Sequence, residues 1–170
     1  MNGSKDLKTI IYFKGVYDTL DLFTDHLIEA FESMGYGTFV YHTANEEVSK
    51  KMLLRLLGES QEFAAVTFNN LGYNLSFEQP EAAEGEEGKP EEYNIWDYFH
   101  IPYIDILMDH PFHYEKPLCN MPKTAVILCT DRNHVKYVRR FFKNIRQTDF
   151  LPHAGVELGH KHKPLNDRNI

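Results

Sequence analysis

Short apolar runs alternate with longer amphipathic segments along most of this chain. The runs are rich in β-branched and aromatic residues and are bounded by polar or glycine positions, a pattern typical of buried strands. They span residues 9–13, 38–41, 63–68, 102–108 and 124–130, and residues 150–152 form a candidate sixth strand.

Three of the intervening segments repeat their apolar residues with the period of a helix. These residues are Leu20, Phe23, Leu27, Phe31 and Met34, then Val48, Met52, Leu53, Leu56 and Leu57, then Val135, Val138, Phe141, Phe142 and Ile145. We expect Asp18 or Thr19 to cap the first helix, a capping box at Thr43–Glu46 to begin the second, and Asp131 to cap the third. Residues 94–100 suggest a further short helix, and Pro111 suits a first helical position.

Strands that alternate with helices predict a parallel sheet covered on both faces. The expected fold is therefore α/β, a Rossmann-like doubly wound parallel sheet of five or six strands. We expect the strand order 3-2-1-4-5, with the chain reversing between strands 1 and 4. Ligands of such sheets bind beyond the carboxyl ends of the strands, at the point of reversal.

Charge and composition divide the chain into a body and an acidic insert. The body is predicted to be one domain over residues 1–158, with a mobile excursion near 75–93 and a linker or tail at 159–170. The formal charge is −7, and residues 78–92 carry −6 of it, which leaves −1 for the rest. This nearly neutral body does not indicate a nucleic-acid partner.

The cysteines and the hydropathy pattern bear on the compartment. The chain has two cysteines, Cys119 and Cys129, which do not form a C-x-x-C pair. That usage favours a reducing compartment. No run approaches the roughly 18 apolar residues of a membrane span, and the N-terminus lacks the apolar core of a signal peptide. We therefore expect a cytoplasmic protein without a membrane span.

The polar cluster after the fourth strand is the strongest candidate site. Asp109, His110 and His113 follow the apolar run directly. Either histidine can act as a base or hydrogen-bond a polar ligand. The alternative is that Asp109 caps a helical turn and the histidines are only solvated. No third cluster with metal-ligand spacing is present, so no metal site is predicted.

Other residues follow the remaining strands at the same predicted edge. Lys14, Gly15 and Tyr17 follow the first strand, Asn69 and Asn70 the third, and Arg132 and His134 the fifth. All seven are candidate ligand-binding residues. A lone glycine after a strand more often serves only the turn, and the alternative for the two asparagines is strand termination. Neither a G-x-G-x-x-G nor a G-x-S-x-G motif is present.

Three segments resemble one bacterial family. They are Phe68-Asn69, then Ile101-Pro102-Tyr103 leading into Asp109-His110-Pro111, and Leu128-Cys129-Thr130-Asp131-Arg132-Asn133-His134-Val135. Together they resemble the N-terminal domain, of unknown function, of CgeB-like, spore-maturation-type glycosyltransferase-like proteins. The resemblance runs from about residue 63 to 152 and is weak before it.

The resemblance implies the N-terminal, acceptor-side half of a GT-B glycosyltransferase. It implies His110 as a general base beside Asp109, a carbohydrate or other hydroxyl acceptor, and no cofactor or metal in this domain. A sugar nucleotide would be the donor, held by a C-terminal donor-binding domain that this chain does not contain, so the chain alone is expected to be inactive. The alternatives are a noncatalytic sugar-, nucleotide- or protein-binding module, or a structural domain without a small ligand.

Overall fold

The computed structural model describes residues 8–59, 61–78 and 92–153. Its strands are β1 Lys8–Lys14, β2 Gly37–His42, β3 Glu62–Phe68, β4 Ser76–Glu78, β5 Glu92–Asn94, β6 Tyr103–Leu107, β7 Ala125–Cys129 and β8 Gln147–Phe150. Six of them form a parallel sheet in the order β2-β1-β3-β6-β7-β8, and β4 pairs with β5 in an antiparallel hairpin. This confirms the α/β, Rossmann-like fold class.

Helices connect the strands on both faces of the sheet. They are α1 Asp18–Ser33, α2 Glu46–Leu57, α3 Ile95–Tyr98, α4 Glu115–Cys119 and α5 Arg132–Phe141, with 3-10 turns at Thr43–Asn45 and Pro111–Tyr114. None of the helices in the described ranges is long and apolar enough to cross a bilayer.

The predicted strand order was wrong. In the predicted numbering the observed order is 2-1-3-4-5-6, so β3 lies between β1 and β6. The physical reason lies in burial: β3 is buried over 65–68 and lies between two strands, whereas β2 is only half-buried over 37–40 and forms an edge. The chain therefore reverses between β1 and β3, and no crevice separates β1 from β6.

The two faces of the sheet are covered unequally. One face packs on α2, α3, α4 and α5 around a core that includes Phe13, Leu53, Trp96 and Val138. The other face packs on α1, with Leu20 against Tyr12 and Phe68. Alternate residues of each strand enter the two cores, because successive side chains of a strand point to opposite faces.

The helix ends bear out some capping predictions and contradict others. The side chain of Asp131 accepts a hydrogen bond from the backbone N–H of Asn133 at 2.6 Å and caps α5, as predicted. Pro111 occupies the first position of its 3-10 turn, also as predicted. The expected cap of α1 is wrong, because Tyr17 precedes the helix without a side-chain bond.

The predicted capping box at Thr43–Glu46 was wrong as well. A 3-10 turn occupies Thr43–Asn45, and the Thr43 hydroxyl donates to the carbonyl of Lys14 at 3.1 Å. The Thr43 hydroxyl therefore bonds to the end of β1, whereas the local pattern had predicted a bond to the first turn of α2.

Part of the predicted acidic excursion forms regular structure, because β4 and β5 pair within it. Residues 79–91 and the predicted tail at 159–170 lie outside the described residues.

Candidate functional site

Asn69 links the turns that follow two neighbouring strands, β3 and β6. Its backbone N–H donates to the carbonyl of Ile106 at 3.1 Å. Its side-chain Oδ1 accepts from the Met108 N–H at 2.9 Å, and its Nδ2 donates to Asp109 Oδ2 at 3.1 Å. Because the strands are parallel, both turns lie at the carboxyl edge of the sheet, where ligands of such sheets bind.

Asp109 presents an exposed and firmly held carboxylate at this edge. Its Oδ2 accepts a second bond, from the Tyr114 hydroxyl at 2.9 Å. Burial, and then the hydrogen bond and the charge of Asp109, raise the pKa of Tyr114, so this hydroxyl remains a donor at neutral pH. No described residue donates to Asp109 Oδ1, which leaves that oxygen for a ligand hydroxyl.

The turn after β3 is held in an uncommon backbone conformation. Asn69 and Asn70 have φ of 49° and 66°, in the left-handed region that asparagine tolerates better than most residues. The backbone N–H of Asn70 donates to Asp105 Oδ1 at 2.9 Å. A buried carboxyl group on β6 therefore fixes the turn that positions Asn69.

Asp105 is a component of the site that sequence reasoning missed. It is fully buried, and burial raises its pKa to about 7 while the Asn70 N–H opposes that rise. Its Oδ2 and both polar side-chain atoms of Asn70 lack a partner within the described part of the chain. The available signal was an acidic residue in the middle of the apolar run 103–107, at a position that alternates with Tyr103 and Leu107 toward the covered face.

His110 combines a capping role with a ring cluster. Its Nδ1 accepts a hydrogen bond from the Phe112 N–H at 3.1 Å, which assigns the proton of the neutral ring to Nε2. The ring centroid lies 4.6 Å from that of His134 and 4.9 Å from that of Tyr137. Burial, and then the neighbouring His110, lower the pKa of His134, while Asp131 opposes the shift, so His134 is neutral at pH 7.

The turn after β1 satisfies its polar groups internally. Lys14 Nζ lies 2.7 Å from Asp25 Oδ1, and the Gly15 N–H donates to the Asp21 carboxylate at 3.0 and 3.1 Å. Both groups predicted to meet a ligand are therefore already bonded to α1. Tyr17 is exposed beside them and contributes to the raised pKa of Tyr114, which relates this turn to the Asp109 edge.

The remaining predicted site residues fall into those that lie near Asp109 and those that lie apart from it. Asn69, Asp109, His110 and His134 come together with Tyr114, whereas the Arg132 guanidinium lies over the Phe150 ring at 4.2 Å. His113 is exposed on the 3-10 turn. Among the residues that the structure describes, no three His, Cys, Asp or Glu side chains are grouped as ligands for a metal ion.

An apolar groove opens at the same edge, on the face that α1 partly covers. Its volume is about 430 Å³, and it is lined by Phe23, His26, Leu27, Phe68, Ile106, Met108, Thr130, Leu151, Pro152 and His153. Met108, which directly precedes Asp109 in the chain, is one of the lining residues, so the groove and the Asp109 turn lie at the same edge of the sheet. The edge therefore joins an apolar surface to a few fixed polar groups, the usual composition of a small-molecule site.

Comparison with known proteins adds no family assignment. A scan against known protein families finds no matching family, and a search of curated proteins finds no match.

Proposed function

We propose that this carboxyl edge binds a hydroxyl-bearing acceptor and that the chain is the acceptor-side domain of a GT-B-like glycosyltransferase. The observation that carries the proposal is the Asp109 carboxylate. Asn69 and Tyr114 hold its Oδ2, and its Oδ1 has no described donor. A carboxylate fixed in this way suits a sugar hydroxyl, because bonds to charged acceptors are stronger than neutral ones.

Asp109 is the group that accepts the hydroxyl proton in this proposal. The sequence resemblance assigns that role to His110, but His110 Nδ1 already accepts the Phe112 N–H. The neutral ring therefore offers an N–H donor at Nε2 rather than a free lone pair. His110 would orient an acceptor oxygen, while Asp109 Oδ1 receives its proton during transfer.

The apolar groove at the same edge of the sheet supports an acceptor that also has an apolar portion. Its volume is about 430 Å³, and its polar lining consists of Thr130, His26 and His153. An alkyl or aryl group in the groove would place a neighbouring hydroxyl near Asp109. Simple sugars without such a group should then bind more weakly than alkyl glycosides.

One observation favours a second function, a noncatalytic binding module. The Nδ1 lone pair of the neutral His110 ring accepts a backbone N–H and caps a turn, so His110 does not offer the base that the resemblance implies. A domain that only recognised a glycoside would use the same residues as hydrogen-bonding groups. The distinction depends on whether transfer is lost when Asp109 is changed.

A titration of the protein with ligands, followed by amide chemical shifts, tests the binding site. We expect an alkyl glycoside to shift the amides of Asn69 and of residues 108–110. The Asp109→Asn variant should bind at least about tenfold more weakly, because a charged hydrogen bond is lost. The Glu115→Gln variant removes a nearby exposed charge and should bind as the unchanged protein does.

Unchanged affinity in Asp109→Asn, or shifts elsewhere on the surface, would contradict the site. Transfer itself is measured on a protein in which this domain is joined to a donor-binding domain. A large fall in kcat in Asp109→Asn there supports the glycosyltransferase. Retained binding without any turnover supports the binding module.

A further inference from the structure

The α5 region carries an isolated concentration of positive charge. Residues 132–148 contain six arginines and lysines and no aspartate or glutamate, in a chain whose formal charge is −7. We name these six residues the basic stripe: Arg132, Lys136, Arg139, Arg140, Lys143 and Arg146. All six are exposed.

The packing of α5 leaves Lys136 and Arg140 on the side of the helix that faces away from the core, while Arg132 and Arg139 extend along the edge strand β8. Val135, Val138 and Phe142 are buried in the core on the opposite side of this region. Cations at steps of three and four residues share one helix surface. This spacing applies to the four stripe residues within α5; Lys143 and Arg146 follow the end of the helix at Phe141 and continue the positive charge toward β8.

The charges of the stripe are not neutralised within the described part of the chain. No carboxylate oxygen there lies within 4.0 Å of any of the six side chains. Arg139 and Lys143 donate only to backbone carbonyls, those of Thr148 at 2.7 Å and of Arg139 at 2.6 Å. Asp149 lines a shallow depression with Arg132 and Arg139 but forms no ion pair with them.

An exposed aromatic ring lies within the stripe. Phe141 is 56% exposed, and the Arg140 guanidinium lies 5.3 Å from its ring centroid. A cluster of about four to eight arginines and lysines on an amphipathic helix is typical of electrostatic binding to an anionic membrane surface. Single-stranded nucleic acids are bound instead on successive aromatic faces in a groove, and the stripe has one such exposed large ring.

We propose that the basic stripe docks the protein on an anionic lipid bilayer. Phe141 would enter the headgroup region, and the cations would meet lipid phosphates. A depression of about 590 Å³ between α5 and β8, whose charged lining is Arg139, Lys143, Arg146 and the single carboxylate Asp149, would receive a headgroup. This inference is independent of the acceptor site.

Cosedimentation of the protein with vesicles tests the proposal. Vesicles of equal phosphatidylglycerol and phosphatidylcholine should bind it, phosphatidylcholine vesicles should not, and binding should weaken as salt screens the charges. Each cation near an anionic surface strengthens binding about fivefold. The triple variant Lys136→Gln/Arg140→Gln/Arg146→Gln should therefore bind about 100-fold more weakly.

A matched variant on α2 controls for net charge. Lys50→Gln/Lys51→Gln/Arg55→Gln removes the same charge from another helix and should bind as the unchanged protein does. Far-ultraviolet circular dichroism and thermal melting check that both variants fold, and Phe141→Ser, which keeps every charge, should weaken binding on its own. Equal loss in the two triple variants, no vesicle binding, or binding to single-stranded nucleic acid in preference to vesicles would overturn the proposal.

Discussion

Replacing Asp105 by asparagine should remove the fall in stability that ionisation of this carboxyl group causes between pH 5 and 8. Asp105 is fully buried on β6, and burial raises its pKa from 3.8 to about 7. The folded protein therefore holds the proton of this carboxyl group over a range in which the unfolded chain has released it. This contribution is fully present below pH 3.8 and is lost as the pH rises through about 7.

The two pKa values set the magnitude. We compare the free energy of unfolding with its value at low pH, where the carboxyl group is protonated in both the folded and the unfolded protein. Relative to that value, a group with these two pKa values lowers the free energy of unfolding by about 1.7 kcal/mol at pH 5 and by about 4.3 kcal/mol at pH 8. The unchanged protein should therefore lose about 2.6 kcal/mol of unfolding free energy from this group across that interval. Asparagine keeps the Oδ1 that accepts the Asn70 N–H and carries no charge at any pH.

Urea unfolding at pH 5, 6, 7 and 8 measures the effect as the difference in slope between the two proteins. The extra amide hydrogen of the variant changes its free energy of unfolding by the same amount at every pH. It therefore does not affect the slope of that free energy against pH, which is the quantity compared. The control Asp18→Asn removes an exposed carboxyl group on the first turn of α1 and should leave the slope unchanged. Parallel curves for Asp105→Asn and the unchanged protein would refute the reasoning, since they would mean that Asp105 titrates alike in the folded and unfolded states.

Three further changes test individual packing and capping features. Gly72→Ala should destabilise the fold by about 3 kcal/mol or more in urea unfolding, because a Cβ would lie 2.2 Å from the Phe13 ring at a φ of 76°; an unaffected midpoint would contradict that contact. Asp131→Ala should cost about 1 kcal/mol through loss of the α5 cap, and Asp131→Asn should restore most of it. A thiol reagent at pH 8 should modify Cys119, which is exposed, much faster than Cys129, whose pKa burial raises to about 11; both should react equally once the chain is unfolded.

The sequence alone located most elements and the edge that holds the candidate site. Apolar periodicity depends on neighbours a few residues apart, so the strands and the three main helices were predictable from local pattern. The cap at Asp131 and the proline turn at Pro111 were predictable for the same reason. Polar residues after the apolar runs indicated Asn69, Asp109 and His110, because parallel strands end at one edge.

The tertiary structure alone decided the lateral order of the strands and the bonding within the site. Periodicity does not specify which strand lies beside which: the prediction put β1 next to β6 and β3 at an edge, whereas the more deeply buried β3 lies between β1 and β6 and the half-buried β2 forms the edge. Asn69 and Asp109 are 40 residues apart and meet only because β3 pairs with β6. The same pairing buries Asp105 under the Asn70 turn, and depth of burial, which raises its pKa, is a property of the packed fold and not of neighbouring residues in the chain.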